Sequence, residues 1–454
     1  MKEKVTAACI HNKLGSRGIF IIISFIVITL IVDTSIVRIS TFTGGLRSTE
    51  SGIAIFTGMA IIFGLGQYII LGFITRRYNE DSPNNMIGVS SIHKSVSIIL
   101  YASIATFSAL ILQMVFTSSY NILLVAVLVW INYILAIALL GFLSHRFLSW
   151  FKSNHNAVVL AYAVATMMIT INAVFTISYV TNQLIGANGS PIIKPVTNPV
   201  ANTSMGGSVY DILNSGYFVT SIMSFILTWV ATVLLLRSYS SKLRRGKFWI
   251  LVSMPLVYFL SQFQPVLLDI SASFRISQPI LFGVVYTLFY TATIPAGGVL
   301  FGIAFWNVAR HLSSDAVKLY MMISAYGMML LFCSNQASGL ILVPYPPFGL
   351  ATVAFFGLAS YLIFMGIYSS AISVAQDSEL RKSIRSFAMK ESRLLDSIGV
   401  AQMEQQIQKS VMAVSKRNQD RLTEETGIQS SLTEEDMKQY LEQVLKEVGK
   451  QQQR

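Results

Sequence analysis

Stretches of about 20 predominantly apolar residues recur along this chain, and a helix of about that length is what crosses a hydrocarbon core of about 30 Å. They run approximately 18–37, 52–75, 96–116, 121–143, 157–180, 216–236, 248–269, 281–306, 316–337 and 347–371. Inside lipid each backbone amide must be satisfied within its own segment, so such stretches form helices rather than isolated strands or loops. The expectation is therefore an all-α fold. It is a polytopic helical membrane protein of about ten transmembrane helices over residues 1–371, followed by a cytoplasmic helical tail over 372–454. Composition supports this, because only 12% of the 454 residues are charged, about half the share in soluble proteins.

The net charge of +12 does not indicate a nucleic-acid partner. From Ala371 onward there are 13 basic and 13 acidic residues, so the excess lies in the membrane portion. There, 16 basic residues fall on one side of the alternating spans and only Arg38, Arg47, Lys194 and Arg275 on the other. Lys and Arg collect in cytoplasmic loops, which places both termini in the cytoplasm and the protein in the cell membrane. The sequons at Asn188 and Asn202 both fall in the long 181–215 connection, which the same rule places outside; both are candidate glycosylation sites. A signal peptide is the alternative for the first span. However, Asp33-Thr34-Ser35 offers no small-x-small cleavage site, so a retained helix is expected and cleavage would leave nine spans. Cys9 and Cys333 fall on opposite sides of the membrane and cannot pair.

Ionisable side chains inside a bilayer cost about 2.5–3.5 kcal/mol at mid-depth and usually mark ion or proton paths. None falls near the middle of a span; Asp33 and Asp269 sit at outer ends, within reach of water or headgroups. The histidines at 11, 93, 145, 155 and 311 map singly to cytoplasmic loops and interfaces, where a solvated or headgroup-facing role is expected. No catalytic or nucleotide-binding motif occurs, so the chain reads as a non-enzyme without a cofactor or metal.

Polar residues do occur within spans: Gln67, Gln113, Asn132, Asn172, Gln262 and Gln264. Interhelical hydrogen bonding accounts for them at an average near 0.6 kcal/mol each. The sharper candidate is a substrate cavity combining Gln262, Gln264 and Pro265 with Thr291, Thr293 and Pro295, where Pro and the paired Gly297-Gly298 loosen two successive spans.

After the last span the chain turns polar but remains helix-prone. Leu380, Ile384, Phe387, Leu394 and Ile398 follow a heptad pattern, and Gly399 is expected to interrupt it. A second stripe comprises Met403, Ile407, Val411 and Val414. A third helix, with Thr433 and Asp436 forming its capping box, carries Met437, Tyr440, Leu441, Val444, Leu445 and Val448. Such stripes need cover: the membrane domain, a second copy, or a cytoplasmic protein.

Three segments, 344–350 (with Pro344-Tyr345-Pro346-Pro347), 369–385 and 391–399, resemble uncharacterised multi-pass membrane proteins of archaea, across roughly residues 340–412. No chemistry attaches to those motifs, so the resemblance implies lineage and topology only. Two functions fit the residues: a membrane sensor or scaffold that engages a partner through its tail, and a transporter or permease for an uncharged or weakly charged solute.

Overall fold

The computed structural model describes residues 16–43, 50–81, 87–186, 192–193, 208–238, 245–261, 276–278, 281–282, 293–310, 315–335, 346–376 and, in the tail, 398–399, 401–405, 407–408, 411–414 and 417. Ten helices occupy the described residues: α1 (Ser16–Thr43), α2 (Glu50–Asp81), α3 (Ile87–Thr117), α4 (Ile122–Asn154), α5 (Ala157–Gly186), α6 (Ser208–Ser238), α7 (Arg245–Ser261), α8 (Thr293–Arg310), α9 (Asp315–Ser334) and α10 (Leu350–Gln376). Eight of them, all but α7 and α8, are long and apolar enough to cross a membrane. The chain is thus an all-α, multi-pass membrane protein.

The helices overrun the apolar stretches that announce them. α4 continues past residue 143 to Asn154, carrying Phe147 and Trp150 into the core. Its two ends show why it starts and stops where it does. Asn121 caps the start, its Oδ1 accepting the Leu123 N–H at 2.9 Å, while the Gln113 side chain accepts the Asn121 N–H. At the other end His155 takes a left-handed conformation (φ 40°) and returns its N–H to the Phe151 carbonyl at 2.7 Å, ending α4. One residue on, Asn156 accepts the Val158 N–H and starts α5, so the connection is minimal. The long 181–215 connection is shortened from both sides by α5 and α6. Within it Ile192–Ile193 pairs antiparallel with Tyr120–Asn121, tying it to the α3–α4 turn. Asn188 and Asn202 lie outside the described residues.

Helix α10 is the axis of the bundle. Every residue of its apolar window is buried, and α9, α4, α3, α2 and α1 all pack against it. Small residues permit this close approach, the usual means of associating helices in lipid. Gly327 of α9 lies against the α10 backbone at Ile363, and Gly366 of α10 lies against the α9 backbone at Tyr320 and Ser324. Aromatic rings fill the remaining seams: Phe56 and Phe63 of α2 meet Phe348 and Phe355 edge-on, and Tyr133 of α4 lies 4.7 Å from Phe356. The first helix is integral to this assembly. Ile19, Ile23, Ile26 and Leu30 are core residues, and Phe20 stacks on Trp306 of α8 at 4.9 Å.

Candidate functional site

Polar contacts occur at each level of α10, and together they form the candidate site. At the end away from the tail, Pro346 and Pro347 hold the chain in a turn, and Gly349 adopts φ 86°, which a side chain would resist. Helix α10 begins directly after, with its first amides buried. Asp33 of α1 meets them: its Oδ2 accepts the Gly349 N–H at 3.0 Å, and the residue is 1% exposed. Sequence position implies a carboxylate facing water or headgroups. It instead caps another helix from inside the bundle, because the proline turn sets the start of α10 below the surface. An acceptor there completes donors that a helix start leaves unpaired and suits the positive end of its dipole.

Midway along the bundle, the Asn132 amide of α4 donates to Ser103 Oγ of α3 at 2.8 Å and to the Leu128 carbonyl. Its Oδ1 has no hydrogen-bond partner among the described residues and lies so near Gly357 of α10 that an added Cβ would sit 2.8 Å away. Beside it runs a second polar chain. Tyr133 donates to Asn335, Asn335 donates to Asn172 of α5 at 2.8 Å, and Asn172 donates to Thr220 of α6 at 3.0 Å. At about 0.6 kcal/mol each, these bonds add little to stability, but they fix the register of α4, α5 and α6 against the end of α9.

Nearer the tail, His93 of α3 is buried and shares a hydrogen bond through Nδ1 with the Tyr361 hydroxyl of α10. This corrects the expectation of a solvated or headgroup-facing histidine: α3 begins at Ile87, seven residues before Lys94, which carries His93 a full turn into the packed region. His145 and His155 are exposed as expected, while His11, His311 and Asp269 lie outside the described residues. Among the described residues, no three His, Cys, Asp or Glu side chains converge as metal ligands would.

At the tail end the bundle receives part of the tail. Trp150 stacks on Tyr368 and donates through Nε1 to Gln402 Oε1 at 3.1 Å. Gln405 donates to Ser149 Oγ at 2.7 Å, and Ile398 and Ala401 are buried. Gly399 is helical, and its missing side chain lets it lie against Val374 of α10, while the heptad residues it is expected to interrupt, Leu380 to Leu394, lie outside the described residues. Arg146 lies over the Phe142 and Tyr368 rings, 5.0 and 5.6 Å from their centroids, next to the docked segment. Burial against this surface also raises the Glu404 pKa, since the charged carboxylate loses solvent there.

Of the proposed cavity, Gln262, Gln264, Pro265 and Thr291 lie outside the described residues. Thr293 and Pro295 fall in the first turn of α8, where proline is tolerated. The adjacent glycines make close contacts: Gly297 receives Phe225 of α6, and Gly298 receives Phe332 of α9. Phe225 also stacks on Phe259 of α7 at 4.4 Å and meets Phe301 and Phe332, so aromatic rings join four helices there. Of the tail interaction face, Ile398 is buried on the membrane domain, while Ile384, Phe387, Leu394, Met437, Leu441, Val444 and Leu445 lie outside the described residues. The roles of Asp33, His93, Trp150 and Gln402 emerge only in the fold; the one sequence signal is their polarity next to apolar runs. No protein family model matches the chain, and neither a curated protein nor a solved structure matches it.

Proposed function

We propose that this chain is a membrane-embedded sensor or scaffold of the cell membrane, with both termini in the cytoplasm, that engages a cytoplasmic partner through its tail. It carries out no reaction of its own. The observation that supports this is the docking of residues 398–405 on the ends of α4 and α10, the latter being the helix that every level of the bundle grips. A change in how α10 sits would alter the surface offered to Ile398, Ala401 and Gln402. The charge bias of the loops supports the orientation, and the resemblance of residues 340–412 to archaeal membrane proteins supports the lineage.

Affinity capture in mild detergent tests the role. The intact protein retains a cytoplasmic partner, and deletion of residues 400–454 abolishes the capture; unimpaired capture after the deletion contradicts the proposal. A second reading, a permease for an uncharged solute, draws on the buried polar chain from Tyr133 through Asn335 and Asn172 to Thr220. It expects uptake to fall when Asn172 is replaced by Leu, and unchanged uptake removes that site.

A further inference from the structure

Towards the tail side of α2, α4 and α8, an arginine lies over the ring four residues before it. Arg77 lies over Phe73, Arg146 over Phe142 and Arg310 over Trp306, at 5.7, 5.0 and 4.7 Å from the ring centroids. Basic and aromatic side chains at the ends of spans mark the level of the lipid headgroups. Arg146 has more around it than an anchor needs. A second ring, Tyr368 of α10, lies 5.6 Å from its guanidinium, and its Nε is buried with no hydrogen-bond partner among the described residues. Glu404 of the docked segment does not neutralise it, because burial alone perturbs that carboxylate. A guanidinium carries five N–H donors in a fixed fork. Taking it partly out of water between two rings costs free energy unless an anion meets the fork.

We propose that Arg146 and Ser149 bind the phosphate group of an anionic phospholipid from the tail-side leaflet. Ser149 follows Arg146 by three residues on α4, the spacing at which helical side chains are neighbours. Its Oγ accepts from Gln405 at 2.7 Å, which leaves its own O–H free to donate. A phosphate placed there takes two parallel bonds from the guanidinium edge and one from the serine. That planar, two-pronged recognition is what distinguishes Arg from Lys. Depth selects a lipid rather than a free anion. Arg146 stands where the apolar part of α4 ends, at the level that Arg77 and Arg310 also mark. Below it, Leu123, Val127, Trp130 and Ile134 form an exposed apolar stripe on the same helix, a surface along which acyl chains can lie. Through Ser149 and Gln405 the bound phosphate would also brace the docked tail segment. The site stands whether or not the tail engages a partner, so its failure and that of the proposed function are separate outcomes.

The test uses the full chain in mild detergent, titrated with phosphatidylglycerol or phosphatidylcholine, with bound lipid counted by native mass spectrometry. Phosphatidylglycerol is expected to bind the natural chain more tightly than phosphatidylcholine and to raise its unfolding midpoint. Arg146→Gln is expected to weaken that binding at least about tenfold, as loss of a charged, bidentate contact implies, and to abolish the rise in midpoint. Lys152→Gln and Arg310→Gln, which remove exposed charges at the same end of the bundle, should change it less than about twofold. Ser149→Ala weakens binding in the same direction and serves as the second variant should Arg146→Gln fold poorly. Undiminished binding in Arg146→Gln and Ser149→Ala, or an equal loss in Lys152→Gln, would overturn the proposal. So would equal binding of the two lipids. Displacement of phosphatidylglycerol by millimolar inorganic phosphate would make a free anion the occupant and overturn it as well.

Discussion

Asp33 shows how much a single residue's role depends on what the fold brings to it. Near the end of an apolar run it has the pattern of a boundary residue, and nothing local distinguishes it from one. The distinguishing partner, Gly349, lies 316 residues away. Asp33→Ala leaves that buried N–H without an acceptor, a loss of about 1–3 kcal/mol. Asp33→Asn keeps an oxygen at the same place and should retain most of the stability, as thermal unfolding in detergent will show. Glu404 supplies a second prediction. Its pKa is raised where the tail docks, so the docked state favours the protonated form. Docking is therefore firmest below the ordinary carboxylate pKa, near 4.3, and loosens as pH rises through the raised value. A spin label at Arg417→Cys should become more mobile over that rise, and Glu404→Gln should flatten the dependence.

The helices themselves were largely legible, and the residues that lock them together were not. Apolar length alone locates α1 to α6, α9 and α10, because a bilayer leaves the backbone few alternatives. The polar residues within spans 121–143 and 316–337 do not break the helices Ile122–Asn154 and Asp315–Ser334, since Asn132 bonds to Ser103 and Leu128 and most of α9 is buried. Sequence alone says nothing of which helix is central: α10 differs from its neighbours in burial, not in period or length. The glycines at its seam with α9 differ from others in the same way. Gly366 and Gly327 abut backbone, whereas Gly58 and Gly64 of α2 face open space. Gly366→Leu should therefore cost at least about 1–3 kcal/mol by overpacking. Gly64→Ala should be neutral or raise stability by about 0.5–1 kcal/mol through helix propensity. Unfolding midpoints of the two variants measure the contrast. Gly399 in the tail is likewise a site of close approach, to Val374.

At the scale of the molecule, the bundle joins a proline turn at one end to a docked tail segment at the other through one buried helix. Asp33 holds the start of α10, His93 and Asn132 meet its middle, and Trp150 carries its last turns onto Gln402. Among the described residues the tail's contact includes two side-chain hydrogen bonds, the burial of Ile398, Ala401 and Gln402, and Gly399 against Val374. Such a peripheral segment should open locally below the cost of global unfolding. That difference is what the proposed sensor role requires. Hydrogen exchange of the intact protein in mild detergent tests the claim most directly, comparing the natural chain with Gly399→Leu, which cannot seat against Val374. The account predicts that residues 398–405 are protected in the natural chain and lose protection in the variant, while α10 stays among the slowest-exchanging segments in both. Exchange of 398–405 as fast as an unfolded peptide in the natural chain, or unchanged protection in the variant, would contradict it.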